Sequence, residues 1–299
     1  LHVRSRRQRQ MCIRDSIRLV LSTTALVLGL TATQASAQVA YGTPMGDDKY
    51  QPSVGQSGKD VIWVPTNDAV ADAMLKAANV GPNDLVFDLG AGDGKIAIAA
   101  AKNYGARSVG IEFNKDMAEL AKRNAERAGV SDKVKIINGD IFVEDFSKAT
   151  VVTMYLLPDL NLKLRPTLLK MAPGTRIATN SFNMGDWEPD QTIGTGYTQG
   201  YFWVVPGNAA GKWTIKGIDG GQGDVLELTQ RYQKVGGTLT IKGKSQPILG
   251  GTLNGNRLKF SFIDQSGQSR IFDVEIKGNA MTGNVHENSP LYEISGTRG

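Results

Sequence analysis

The chain has 299 residues, of which 40% are hydrophobic and 21% are charged, so it is long enough for one large or two modest globular domains. Its net charge of +5 lies entirely in residues 1–37, and the remainder is neutral, so the charge does not indicate nucleic-acid binding. Cys12 is the only cysteine, and His286 is the only histidine after residue 37. This composition excludes a disulfide, a thiolate nucleophile in residues 38–299, and a metal site built from several histidines.

The first 37 residues consist of two unlike segments. Residues 1–16 have no apolar period and resemble the translation of a sequencing adapter, so we expect an artefactual leader there. Residues 17–37 combine a basic start, a short apolar run and the small residues Ala35-Ser36-Ala37, which is the pattern of a secretory signal peptide. The run is short for a membrane span, so we expect an exported, periplasmic protein. A cytoplasmic or membrane-anchored protein is the alternative.

Residues 38–205 read as a linker followed by an α/β domain. Residues 38–60 are rich in Gly, Pro, Ser and Gln and predict a linker. From 61 to 205 strands and helices alternate, which predicts a doubly wound, mostly parallel, Rossmann-like sheet. The predicted strands are 85–89, 107–111, 133–137, 150–155 and 176–181, with an antiparallel pair at 190–195 and 201–205. The predicted helices are 67–78 (capped by Asn67 or Thr66), 94–103, 114–128 and 159–171.

Residues 206–299 have no helical period. Short alternating segments separated by tight-turn pairs predict about eight antiparallel strands in a small barrel or sandwich. The predicted strands are 212–218, 224–233, 237–242, 247–253, 257–263, 270–277, 280–285 and 291–297, with turns at Gly236-Gly237, Asn254-Gly255 and Gly278-Asn279.

A glycine-rich turn joins the first strand of the α/β domain to its helix. Residues 88–94 read D-L-G-A-G-D-G, with glycines at 90, 92 and 94. A dinucleotide fingerprint requires G-x-G-x-x-G, and residue 95 is Lys, so the spacing argues against a dinucleotide. Such a turn lets the main chain approach a ligand closely. The alternative is a tight strand-to-helix turn with no ligand.

Acidic residues follow three strands of the predicted sheet. In such sheets ligands bind outside the carboxyl ends of the strands. Glu112, after the second strand, can accept both ribose hydroxyls of a nucleoside, and Asp140, after the third, can accept the exocyclic amine of adenine. Asp88 lies beside the turn, where a cationic amino group would find a partner. Glu112 could instead cap the next helix, and Asp140 could instead cap a turn.

These motifs resemble the cofactor site of class I S-adenosylmethionine-dependent methyltransferases. The segments V-P-T, D-L-G-A-G-D-G, G-I-E-F-N and V-V-T-M-Y-L-L-P are similar to the protein-lysine methyltransferases of the ATP synthase c subunit and adenine nucleotide carrier type, over roughly 61–205. The signal peptide and the β-domain depart from that family. The resemblance implies S-adenosylmethionine as cofactor and cofactor-binding roles for Asp88, Gly90, Gly92, Glu112, Asp140 and Thr66. From the cysteine and histidine counts we expect no metal.

The resemblance also places substrate beside the segment after the fourth strand. Tyr155 is the first candidate for orienting the nucleophile, followed by Asn161 and by Asp186 after the fifth strand, although each could instead cap a helix or form a turn. We expect in-line methyl transfer to a protein lysine, with no nucleic-acid partner and no stable membrane span. A small-molecule methyltransferase, or a non-enzymatic exported binding protein that uses the β-domain, are the alternatives. The identity of the acceptor and the oligomeric state stay open.

Overall fold

The computed structural model describes residues 45–194, 196, 198–218, 223–287 and 290–299. The predicted leader and signal peptide lie outside these residues. In the described part, no helix is both long and apolar enough to cross a membrane. Its helices are α1 (Asp68–Ala77), α2 (Lys95–Tyr104), α3 (Lys115–Arg127) and α4 (Pro158–Leu168).

The first sheet has seven strands in the order β3-β2-β1-β4-β5-β7-β6. Strands β1 to β5 are parallel, and β6 and β7 form an antiparallel pair at the edge. Because β1 lies between β2 and β4, the strand order reverses beside β1, and ligands bind at such a switch point. The predicted Rossmann-like sheet is confirmed. Its strands are β1 (Leu85–Leu89), β2 (Arg107–Glu112), β3 (Val134–Asn138), β4 (Val151–Met154), β5 (Arg176–Asn180), β6 (Gln191–Gly194) and β7 (Gln199–Val204).

Local signals explain where the helices begin. The Asn67 side chain accepts a hydrogen bond from the amide of Ala69, so Asn67 rather than Thr66 caps α1. Asn114 caps α3 in the same way through the amide of Met117. Helix α2 starts differently, directly after Gly94, whose φ is 83°. That residue belongs to the glycine turn, so the turn and the helix start form one unit.

The second sheet is a closed antiparallel barrel of eight strands, which decides between the predicted barrel and sandwich. Strands β8–β9–β10 and β12–β16 form the ring, closed by the pairing of β9 with β10, while β11 pairs only with β10. Trp213, Phe260, Phe262 and Phe272 are buried in its core. The strands are β8 (Gly211–Lys216), β9 (Asp224–Arg231), β10 (Lys234–Ile241), β11 (Lys244–Pro247), β12 (Leu249–Asn254), β13 (Arg257–Ile263), β14 (Ser269–Lys277), β15 (Ala280–His286) and β16 (Pro290–Arg298).

One predicted turn of the barrel is wrong. Gly236 and Gly237 lie inside β10, and the chain reverses earlier, at Tyr232, whose φ is 54°. The glycine pair serves a different purpose. A Cβ on Gly237 would lie 2.0 Å from the carbonyl oxygen of Glu227 on β9, so glycine is required there by close strand contact. The short strand β11 was not predicted as a separate element.

The two neighbouring glycines provide a matched test of this close contact. Gly237→Ala should lower the free energy of unfolding by about 1–3 kcal/mol, because the added methyl group meets a main-chain carbonyl. Gly236→Ala adds the same methyl group, whose nearest neighbour is the Thr229 hydroxyl at 3.5 Å, so it should be nearly neutral. Urea unfolding followed by circular dichroism measures both. Equal midpoints for the two variants would contradict the close contact at Gly237.

Candidate functional site

A cleft of about 710 Å³, open to solvent, lies outside the carboxyl ends of β1, β2 and β4. Its floor is the glycine turn after β1, and one wall is the segment 56–66 that precedes α1. The cleft is therefore at the switch point of the sheet, where two of the predicted acids, Asp88 and Glu112, converge.

The glycine turn brings bare main chain to the cleft. Gly90 and Gly92 have φ values of 78° and 56°, which favour glycine. A Cβ on Gly90 would lie 2.9 Å from Leu156 Cδ2, and one on Gly92 would lie 2.7 Å from Trp63 Nε1. Any larger residue would fill space between the turn and the opposite wall. The turn thus has no side chain of its own between its peptide groups and the cleft, and Leu156 and Trp63 lie against it.

Asp88 is a buried acid without a basic partner. It is 3% exposed, and its Oδ1 accepts a hydrogen bond of 2.8 Å from the hydroxyl of Thr153 on β4. Burial, together with the nearby charges of Asp93 and Glu112, raises the pKa of Asp88 to about 7, although the hydrogen bond from Thr153 acts in the opposite direction. No Lys, Arg or His of the described residues forms an ion pair with Asp88. A cationic ligand group would stabilise this carboxylate.

Glu112 is held between the glycine turn and the start of α3. Its Oε2 accepts the amide of Gly92 at 2.9 Å, and its Oε1 accepts the amide of Asn114 at 2.8 Å. Burial raises the pKa of Glu112, and these amides act in the opposite direction. The carboxylate is therefore fixed at the cleft, in a position suited to accept ligand hydroxyl groups.

The segment before α1 lies against the domain. Lys59 Nζ is 2.6 Å from Asp140 Oδ2 and lies over the ring of Phe113, 4.8 Å from its centroid. Farther along, Asp47 is bound by Arg123 and Arg127 of α3. Residues 38–60 are predicted to be a linker, yet the described part of this segment packs against the domain, and its residues 56–58 line the cleft.

The predicted cofactor-binding residues differ in their surroundings. Asp88, Gly90, Gly92, Glu112 and Thr66 all line the cleft. Asp140 does not belong to the lining, because its carboxylate is paired with Lys59 and accepts the amide of Phe142. Its contact with adenine stays a prediction.

The predicted catalytic residues are not all together. Tyr155 lines the cleft, and its ring stacks on Phe182. Asn161 is fully buried and donates to the carbonyls of Phe182 and Asn183. Asp186 lies outside the cleft lining, in ion pairs with Arg165 and Arg231. The cleft therefore offers Tyr155 alone of the three.

Sequence reasoning missed three residues of the site. Trp63 covers the glycine turn, and Asp93 is a second buried acid whose pKa is raised by burial. Asp93 could have been found, since it lies within the glycine motif. Thr153 is a fully buried polar residue in a central strand, and its partner Asp88 lies 65 positions away. Only the pairing of β1 with β4 brings the two together.

These residues fit S-adenosylmethionine. Asp88 would hold the ammonium group, Glu112 would hold the ribose hydroxyls, and the bare turn would lie along the ligand. The buried, unpaired carboxylate of Asp88 is the observation that decides the fit, because such a group is costly until a cation reaches it. Among the described residues, no cluster of His, Cys, Asp and Glu is arranged to hold a metal ion.

Comparison with known proteins identifies relatives over this domain. Residues 88–191 match the family model described as "ANTKMT methyltransferase domain". A protein-lysine N-methyltransferase of Saccharolobus islandicus is 42% identical over 135 residues, which are 44% of this chain and 84% of that protein. A mouse lysine N-methyltransferase that is named for the ATP synthase c subunit is 34% identical, over 45% of this chain and 54% of the mouse protein. This chain therefore spans most of the archaeal relative and about half of the mouse one.

Solved structures also include a similar chain. The RNA methyltransferase of Salinibacter ruber, in complex with S-adenosyl-L-homocysteine, is 47% identical to this chain, with a TM-score of 0.48. The match covers 48% of this chain and 95% of the other. Like the curated relatives, it leaves more than half of this chain unmatched.

The raised pKa of Asp88 predicts how cofactor binding depends on pH. Without a ligand the carboxyl is half protonated near pH 7, and it must ionise to hold an ammonium group. Affinity for S-adenosylmethionine should therefore rise between about pH 5.5 and 7, by up to about tenfold per pH unit. Asp88→Asn should bind more weakly and lose this dependence. Calorimetry measures both affinities, and a wild-type affinity that is constant over this range would contradict the role of Asp88.

Proposed function

The chain belongs to the S-adenosylmethionine-dependent methyltransferases of the ANTKMT domain family, and we propose that it transfers the methyl group to a lysine side chain of a protein. The main support for this proposal is the 42% identity to a protein-lysine N-methyltransferase, 84% of which is covered by the match to this chain. The mouse relative is likewise named for a lysine of a protein component of a larger assembly. The open cleft beside Tyr155 is consistent with an acceptor that enters from solvent.

We assign the cofactor-holding roles by the chemistry of each group. Asp88 would hold the ammonium group and Glu112 the ribose hydroxyls, and the main chain at Gly90 and Gly92 would lie against the nucleoside. Asp140 would accept the exocyclic amine of adenine in exchange for its pairing with Lys59. Thr66, which is 8% exposed and lines the cleft, would complete the wall.

The protein's own contribution to the reaction is alignment and exclusion of water. When bound, the cofactor would supply a methyl group on a sulfonium, and a neutral amine would take that methyl group in line, with the thioether sulfur as the leaving group and the amine proton lost to water. Tyr155 would orient the amine through its hydroxyl. The apolar walls at Leu156 and Trp63 would favour the neutral form of a lysine. Alignment of this kind lowers a barrier by roughly 7–11 kcal/mol, so a catalytic triad is not required.

Transfer of radioactive methyl groups tests the proposal. We expect label from methyl-tritiated S-adenosylmethionine to enter poly-L-lysine or extracted proteins and, after acid hydrolysis, to run with methyl-lysine. Glu112→Ala should abolish cofactor binding. Tyr155→Phe should retain binding but lower the rate by about 10- to 100-fold, because the amine loses its orienting group.

The control for these variants is Glu119→Ala on α3, whose carboxylate pairs with Lys122 outside the cleft lining. This variant should match the wild type. Label found only in small molecules would replace the lysine proposal with the small-molecule alternative. No binding at millimolar cofactor would leave the non-enzymatic binding protein.

We also propose export to the periplasm. Support comes from residues 17–37, whose charged start, short apolar run and Ala35-Ser36-Ala37 end have the form of a signal peptide. Mass spectrometry of the protein from a bacterial host should find a mature N-terminus at Gln38. A chain that retains the segment around Met11 would overturn the proposal.

A further inference from the structure

The loop that follows β5 connects the cleft to the barrel. We define the β5 loop as residues 181–190. At its start it contacts Tyr155 in the cleft, and at its end it contacts the turn between β9 and β10. That turn, residues 231–234, is called the barrel turn below.

At the cleft end, Phe182 is held by ring stacking and by hydrogen bonds to its main-chain carbonyl. Its ring stacks on Tyr155, with centroids 6.4 Å apart and planes at 26°. The carbonyl of Phe182 accepts hydrogen bonds from Thr179 Oγ1 at 2.7 Å and from Asn161 Nδ2 at 3.2 Å. Ser181 just before it has a φ of 65°, which is uncommon for a residue with a side chain. Such a conformation persists only where surrounding contacts hold it.

In the middle, α4 holds the loop. Arg165 Nη1 donates to the carbonyl of Met184 at 2.7 Å and to Asp186 Oδ1 at 2.5 Å. Gly185 permits this approach, because a Cβ there would lie 2.9 Å from Leu162 Cδ2. The loop is therefore tied to the same helix that carries Asn161.

At the barrel end, the contacts are both buried and exposed. Fully buried Trp187 donates from Nε1 to Gln233 Oε1 at 3.1 Å, and Gln233 Nε2 donates to the carbonyl of Glu188 at 2.7 Å. Arg231 and the Tyr232 hydroxyl both bind Asp186 Oδ2. Arg231 is the main cause that holds the pKa of Asp186 down to about 2.

The buried pair contributes more to this link than the exposed ion pairs. Exposed ion pairs such as Asp186–Arg231 are screened by water. Gln233 is 8% exposed, and its amide bonds both a buried indole and a main-chain carbonyl, so removing it leaves the buried Trp187 indole unpaired. Tyr232 holds the turn with a φ of 54°. The polar side chains of Arg231, Tyr232 and Gln233 in the barrel turn therefore bind the β5 loop.

We propose that the barrel turn is a positioning element for the acceptor side of the cleft. Through Gln233 and Arg231 it holds the β5 loop, and the loop in turn holds Phe182 against Tyr155. Arg231, Tyr232 and Gln233 are positioning residues. The effect on acceptor methylation rests on the proposed function, whereas the effect on the loop does not.

Hydrogen exchange of the full-length protein tests the loop directly. Gln233→Ala should speed amide exchange in residues 181–187, and the double variant Arg231→Ala/Tyr232→Phe should do so without removing a buried group. Lys212→Ala is the matched control, since it removes an exposed ion pair with Glu227 elsewhere on the barrel. Unchanged exchange of the loop in both turn variants would overturn the proposal.

Kinetics then separates positioning from general damage. With poly-L-lysine as acceptor, kcat should fall by about tenfold in the turn variants, while the affinity for S-adenosylmethionine stays within about twofold. A parallel loss of cofactor affinity would overturn the assignment to the acceptor side. So would a rate lowered by Asp186→Asn but not by either turn variant, because Asp186 would then act on the acceptor itself.

Failure of the proposed function gives a different result. If the wild type transfers no methyl group to lysine but the loop exchange still responds to the barrel turn, the lysine proposal fails and the positioning link stands.

Discussion

The cleft depends on how closely the main chain approaches it at the turn between β1 and α2. Gly90 and Gly92 adopt positive φ values there, and a Cβ on either would meet the opposite wall within 3 Å. The same turn donates the Gly92 amide to Glu112, so it also fixes the acid at the end of β2. The glycine turn therefore determines three features together: the close approach of the main chain to the cleft, the start of α2 and the position of the Glu112 carboxylate.

The second physical feature of the site is an excess of buried acid. Asp88, Asp93 and Glu112 all have raised pKa values because burial disfavours their charged forms. The amides of Gly92 and Asn114 offset part of this cost for Glu112, whereas the Thr153 hydroxyl is the hydrogen-bond partner of Asp88 among the described residues. A cationic ligand with hydroxyl groups offsets this cost, which is why the acids are better explained by binding than by packing.

The barrel gives the molecule a second, independent core, yet its turn between β9 and β10 reaches the catalytic domain. Tyr232 packs against the core that contains Trp187 and Trp203. The curated relatives match 44–45% of this chain, so their similarity does not account for the barrel. A rigid body attached to the loop beside Tyr155 restricts how that loop moves, since loops without such anchors are the mobile parts of a fold.

Local patterns alone determined the α/β domain. The alternation of strand and helix, the cap at Asn67 and the glycine turn are set by short-range chemistry, and the structure has each of them. The acids at strand ends were also predictable, because parallel strands place their carboxyl ends along one edge.

Contacts between distant residues were decided only by the tertiary structure. Lys59 and Asp140 are 81 positions apart, and the composition of residues 38–60 does not indicate their pairing. The glycine pair at 236–237 was misread because glycine serves both tight turns and close strands, and only the pairing of β9 with β10 distinguishes them. Asp186 contacts Arg231 and Tyr232 of the barrel turn, and these contacts between distant residues are likewise not indicated by the sequence. A residue type records what a side chain can do, and the fold decides which partner comes within reach.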